Sequence, residues 1–194
     1  MGKSDILSIL RSDKTVFSFK DILLSSGENR PELLKRRLNY YTSCKQLYGI
    51  RRGLYAKDKD YNKLELATKI FVPSYVSFET VLVEFGIIFQ HYSQIFIASY
   101  QTKEIICDRQ AYTFKKIKDT ILTNNAGVED KNNYSVATKE RAFLDTIYLN
   151  KDYHFDNLSS LDWDKIFEIL LIYDNKRMTK NVKEYYKDFK ANNK

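Results

Sequence analysis

Apolar positions along the chain fall into short blocks, and their spacing alternates between helical and strand periods. In the first sixty residues the blocks predict helix, short strand, helix, helix and hairpin. Ser4 can cap a first helix over residues 5–11, with Ile6, Leu7, Ile9 and Leu10 on its buried side. Thr15-Val16-Phe17 is β-branched and aromatic and predicts a brief strand. Ser18 can cap a second helix over 19–25, which stops at Ser26-Gly27. Pro31 suits a first helical position, and a third helix is expected to about Cys44. At 100° per residue, Leu34, Leu38 and Tyr41 form one stripe of that helix. Glu32, Arg36, Asn39, Tyr40 and Ser43 form the opposite side, with Lys35 and Arg37 on the flanks. The two apolar runs between Leu47 and Ala56, broken by Arg51-Arg52-Gly53, predict a hairpin with Gly53 in its turn.

Beyond residue 60 the pattern mixes both periods. A helix is expected over 64–70, ended by Phe71-Val72-Pro73. Ser77 suits an N-cap for a helix over 78–84, with Val76 and Val81 at the staple positions and Gly86 closing it. Residues 95–100, 104–107 and 111–117 predict strands, and 134–137 a fourth. Thr138 can cap a helix to about Leu149, with Phe143 and Ile147 inward and Arg141 spaced i,i+4 from Asp145. Two more helices are expected over 163–174 and 178–189, the last with Met178, Val182, Tyr185 and Phe189 on one face. The expected fold is α+β. It has an N-terminal winged helix-turn-helix, then a mixed α/β domain with a small, mostly antiparallel sheet and C-terminal helices.

Charge sharpens the division. The 194 residues hold 32 Lys/Arg and 25 Asp/Glu, a formal +7. Residues 1–60 hold 13 against 7, and residues 61–194 hold 19 against 18, so nearly all the excess is N-terminal. The alternately charged stretch from Ala56 to Lys63 reads as a linker. Two domains are expected, 1–60 basic and 61–194 nearly neutral. In a winged helix the third helix enters the major groove and the hairpin lies along the phosphates. Arg36, Asn39 and Tyr40 are therefore the candidates for base edges. Arg51 and Arg52 at the wing tip, with Lys20 and Lys35, suit phosphate contact.

Other chemistry is sparse. Cys44 and Cys107 lie 63 positions apart and fit reduced structural thiols. No apolar run reaches the roughly 20 residues that a membrane span needs, and the first residues suit neither a signal peptide nor a myristoylation site. A cytoplasmic location is expected. No Gly-rich phosphate loop, HExxH or GxSxG occurs, and His91 and His154 stand in unrelated contexts. Neither a catalytic constellation, a metal site nor a cofactor is expected. The best nuclease candidate, Glu129-Asp130 with Asp108 or Asp119, sits among Asn and Gly and reads as a loop.

Several segments are familiar. Val16-Phe17-Ser18-Phe19-Lys20-Asp21, Leu34-Lys35-Arg36-Arg37-Leu38 and Ile50-Arg51-Arg52-Gly53-Leu54-Tyr55-Ala56 resemble the winged helix of AbiEi-type antitoxins. Tyr75-Val76-Ser77-Phe78-Glu79 with Phe85-Gly86-Ile87-Ile88 resembles that family's "YVSFESAL…GLI" segment. The stretch from Ser135 through Ala137-Thr138-Lys139-Glu140-Arg141-Ala142 to Leu149 resembles its "ASPEKALLDLLYL" helix, with Lys139 where the family has Pro. The resemblance implies a type IV toxin–antitoxin protein that represses its own promoter on double-stranded DNA. It also implies a second domain that counteracts a nucleotidyltransferase-like toxin without a stable complex. The alternatives are a transcriptional regulator whose second domain senses a partner or ligand, without a toxin, and a metal-dependent nuclease.

Overall fold

The computed structural model describes residues 9–192. The Ser4 cap and residues 5–8 of the expected first helix lie outside the described residues, while residues 9–11 are helical and Ile9 is buried. Strand β1 (Val16–Ser18) runs directly into helix α1 (Phe19–Ser26). Ser18 Oγ accepts from the Asp21 amide at 3.0 Å, and the Asp21 carboxylate accepts from the Ser18 amide at 3.1 Å. Two amides that the first turn would orphan are thereby satisfied. Helix α2 (Pro31–Ser43) follows, with Pro31 in its first turn. Strands β2 (Tyr48–Arg51) and β3 (Leu54–Ala56) form the hairpin, and Gly53 turns it at φ +78°. Strand β1 pairs antiparallel with the free side of β3, giving the order β1-β3-β2. Ile9, Phe17, Ile22, Leu34, Leu38 and Leu47 close a small core beneath.

The second sheet has six strands: β4 (Ser74–Val76), β5 (Ile95–Ser99), β6 (Lys103–Cys107), β7 (Gln110–Lys116), β8 (Val128–Lys131) and β9 (Tyr134–Ala137). Their order is β6-β7-β5-β4-β9-β8. Antiparallel pairs alternate with parallel ones, since β7 joins β5 and β9 joins β4 in parallel. Three of the five pairings are antiparallel, as expected of a mostly antiparallel sheet, and the two parallel ones make it a mixed sheet. Two strands escape the periodicity: β4 is only three residues long, and β8 carries Glu129, Asp130 and Lys131. The acidic stretch read as a loop is thus a strand, and its turn falls at Asn132 and Asn133, both at positive φ.

Helices α3 (Lys63–Ile70), α4 (Glu79–Glu84), α5 (Asp119–Leu122), α6 (Lys139–Leu149), α7 (Trp163–Leu170) and α8 (Lys176–Asn192) complete this part. Three boundaries differ from expectation. Ser77 does not cap α4, because Phe78 holds the N-cap position at φ 56° without a side-chain cap. Ser77 Oγ instead donates to Asp145 at 2.8 Å, which also removes the frame for the Val76–Val81 staple. The helix expected over 163–174 tightens into a 3₁₀ turn at Leu171–Tyr173. The last helix starts at Lys176 and extends to Asn192.

The two sheets share a core. Val16, Leu54 and Ala56 belong to the same apolar cluster as Leu66, Tyr75, Phe114 and Phe143. The Glu65 carboxylate, 1% exposed, accepts from both the amide and the hydroxyl of Thr15, at 2.8 and 2.6 Å. The stretch read as a linker contains Tyr61, which is buried.

Candidate nucleic-acid interface

Helix α2 separates its faces as the spacing predicts. Leu34 and Leu38 are buried, and Tyr41 packs half-buried against the small core. Arg36, Asn39 and Tyr40 are all exposed. The steps of three and four from Glu32 to Lys35, Asn39 and Thr42 trace one line along the helix. That line faces the β2–β3 hairpin across an open groove of about 1050 Å³. Phe19, Leu47, Tyr48 and Tyr55 supply apolar lining. Six cations line it (Lys35, Lys45, Arg51, Arg52, Lys57 and Lys59), against two carboxylates, Glu32 and Asp58.

Of the seven residues expected to meet DNA, the groove gathers Lys35, Asn39, Arg51 and Arg52. Arg36 and Tyr40 lie on the exposed face of α2 outside the groove lining, and Lys20 is exposed on α1, also outside it. Lys45, Lys57 and Lys59 were not expected there. Lys45 follows α2 at φ 56°, and the other two lie in the stretch that reads as a linker. Their alternation with Asp58 and Asp60 conceals that the chain turns back toward the hairpin. Lys57 Nζ also donates to the Ser12 carbonyl.

The hairpin is held from two sides. The Phe19 amide donates to the Gly53 carbonyl at 2.8 Å, fixing the hairpin turn to the start of α1. At the other end, Asp108 in the β6–β7 turn accepts from Tyr48 OH at 2.8 Å and from Tyr61 OH at 2.7 Å. The two rings stack with centroids 6.3 Å apart, and Lys59 Nζ lies 5.8 Å from the Tyr48 centroid. Burial first, and then the bond to Asp108, push the Tyr61 phenol far above its ordinary value. Burial also raises the Cys107 thiol, an effect that the Arg51 guanidinium partly offsets.

The remaining candidate groups do not converge. His91 and His154 are exposed, and His154 Nε2 lies 3.6 Å from Asp156. Glu129 and Asp130 are exposed on β8, whereas Asp108 is engaged by two phenols. Among the described residues, no group of three His, Cys, Asp or Glu side chains is placed to hold a metal ion. No helix among them is long and apolar enough to cross a membrane.

The segments Tyr75–Glu79 and Thr138–Leu149 meet inside the second core. Asp145 accepts from Tyr75 OH at 3.0 Å, from Ser77 Oγ at 2.8 Å and from Tyr173 OH at 2.7 Å, and it pairs with Arg141 Nε at 3.3 Å. Arg141 and Asp145 have no exposed side-chain surface. These residues act on the fold, not on solvent. A comparison with protein-family models finds none that matches this chain, and a search of the curated proteins finds no match.

Proposed function

We propose that this chain is a DNA-binding antitoxin and transcriptional autorepressor of a type IV toxin–antitoxin system, acting in the cytoplasm through an N-terminal winged helix-turn-helix. One observation carries the DNA half of this reading: the groove between α2 and the hairpin is lined by six cations and two carboxylates. A polyanion is the ligand such a lining favours. In this reading α2 is the recognition helix. Arg36, Asn39 and Tyr40 meet base edges, while Lys35, Arg51 and Arg52, joined by Lys45, Lys57 and Lys59, hold the backbone and Lys20 adds to it. The antitoxin half rests on the resemblance to AbiEi-type proteins, whose segments here coincide with the core around Arg141 and Asp145. Its partner is a nucleotidyltransferase-like toxin, countered without a stable complex.

Binding titrations of the full chain on its own promoter and on scrambled DNA, at several salt concentrations, test the DNA half. Arg36→Ala is expected to cost about 1–3 kcal/mol and to relax preference at one operator position. Arg52→Ala is expected to weaken both DNAs alike and lower the salt slope by about one unit. Two substitutions that leave affinity unchanged at low salt would refute the winged-helix reading. Co-expression with the product of the adjacent reading frame tests the other half: no rescue of growth from a nucleotidyltransferase found there removes the antitoxin role.

A further inference from the structure

We propose that the outer face of α8 is a second binding surface, one that holds the phosphate backbone of duplex DNA without reading its sequence. Lys176, Lys180, Lys183, Lys187 and Lys190 follow one another at steps of four, three, four and three. At 100° per residue they fall within a stripe about 80° wide. At 1.5 Å per residue the stripe is about 21 Å long. All five are exposed. The carboxylates of the helix, Glu184 and Asp188, rotate to one flank. The near-neutral sum of residues 61–194 conceals this segregation: residues 176–192 hold six Lys/Arg against two Asp/Glu, and residues 61–175 hold 12 against 16.

The fold does not explain the stripe. Like charges three and four positions apart destabilise a helix, and this one places four such pairs in succession. Lys180 approaches Glu184 at 3.9 Å, and Lys190 lies 4.3 Å from the Tyr186 centroid. Lys176, Lys183 and Lys187 make no ion pair among the described residues.

The chemistry of the stripe selects its partner. An ammonium is a point charge on a flexible stem, suited to a row of anions whose register it need not match, whereas planar bidentate recognition calls for Arg. No Arg, Asn or Gln stands within the stripe to meet base edges, so binding there is independent of sequence. No aromatic side chain stands in it to stack an unpaired base, which favours a duplex over a single strand. A bilayer is disfavoured for a different reason. The apolar side of α8 is already used: Met178 and Val182 are buried, and Tyr186 and Phe189 pack on Trp163 at 4.9 and 5.4 Å. A helix adsorbed on lipid needs that face free.

The surface shares no residue with the α2 groove, so the two can be separated by experiment. The variant Lys180→Gln/Lys183→Gln/Lys187→Gln keeps helix propensity nearly constant. Far-UV circular dichroism and the melting temperature of the full chain check that it folds. Anisotropy titrations on a short non-operator duplex, over a range of salt, are the readout. The expected result is a salt slope lowered by about 2–3 units, with affinity reduced at least about tenfold at low salt. Should the triple variant not fold, Lys183→Gln alone is expected to lower the slope by about 0.9. An unchanged slope overturns the proposal. So does an equal loss on single-stranded DNA, or a loss confined to duplex RNA or to phosphatidylserine vesicles. If Arg52→Ala leaves the same duplex unaffected while the lysine variant loses affinity, the groove reading fails and this one stands.

Discussion

Arg141 has five N–H donors and five acceptors around them. Nε reaches Asp145 at 3.3 Å, one terminal nitrogen reaches the carbonyls of Ala126 and Asn124 at 2.7 and 3.4 Å, and the other reaches Tyr75 OH and the Ile121 carbonyl at 2.9 and 2.8 Å. Such a guanidinium is not there for net attraction to Asp145, since removing two charges from water offsets most of that gain. Breaking the pair is another matter. Arg141→Ala leaves Asp145 buried without its counter-charge and is expected to cost about 3–5 kcal/mol in urea unfolding. Replacing both, as Arg141→Met/Asp145→Leu, is expected to cost less than the sum of the two single changes. A loss below about 1 kcal/mol for Arg141→Ala, the range of solvated pairs, would show that the network is hydrated and loosely made. The i,i+4 spacing is visible in the sequence; the burial is not. It comes from Tyr75 and Tyr173, 66 and 28 positions away, and helical spacing alone reads as a solvated pair.

Elements whose signals are local are the ones the sequence reveals. Pro31, the Leu34/Leu38 stripe and the Gly53 turn each act within a few residues, and α2 and the hairpin form where they predict. Lys57 and Lys59 reach the groove only because the chain folds back, so no window along the sequence assigns them to it. Strand β4 is invisible for the same reason: three residues gain strand geometry from β5 and β9 on either side. The capping box of α1 is the local signal with the clearest energetic consequence. Ser18→Ala is expected to cost about 1 kcal/mol at neutral pH. The Asp21 carboxyl is raised by partial burial, but the Ser18 amide and hydroxyl and the Lys69 ammonium at 3.4 Å outweigh this and hold it below the ordinary carboxylate value. A folded value below the unfolded one means that its stabilisation is present above about pH 3.9 and lost as pH falls through the lower value. The Ser18→Ala chain should accordingly lose less stability than the parent between about pH 5 and 2. Parallel acid arms in the two unfolding curves would show that Asp21 is not held by the cap.

At the scale of the molecule, the charge boundary near residue 60 is not a boundary in the core. Leu54, 6% exposed on the hairpin, belongs to the cluster that contains Phe114 and Phe143. Thr15 reaches across to Glu65, and Tyr48 and Tyr61 share Asp108. Composition separates the two parts because one is basic and the other sums to neutrality. It cannot report which apolar side chains later meet, and the mixed strand order that brings them together is built from long-range pairings. Contacts of this kind are expected to make the α2 groove and the second sheet unfold together, with the hairpin held by residues on both. Leu54→Ala removes a core side chain and is expected to cost about 2–5 kcal/mol. Trp163, the only tryptophan, is buried in α7 and reports on the second part alone. In a cooperative chain the Leu54→Ala midpoint shifts equally whether followed by Trp163 fluorescence or by far-UV circular dichroism, since coincident probes mark a two-state transition. If the substitution moves the circular dichroism transition and leaves the Trp163 transition in place, the hairpin is an independent unit, and the clasp at Asp108 transmits nothing between the groove and the second sheet.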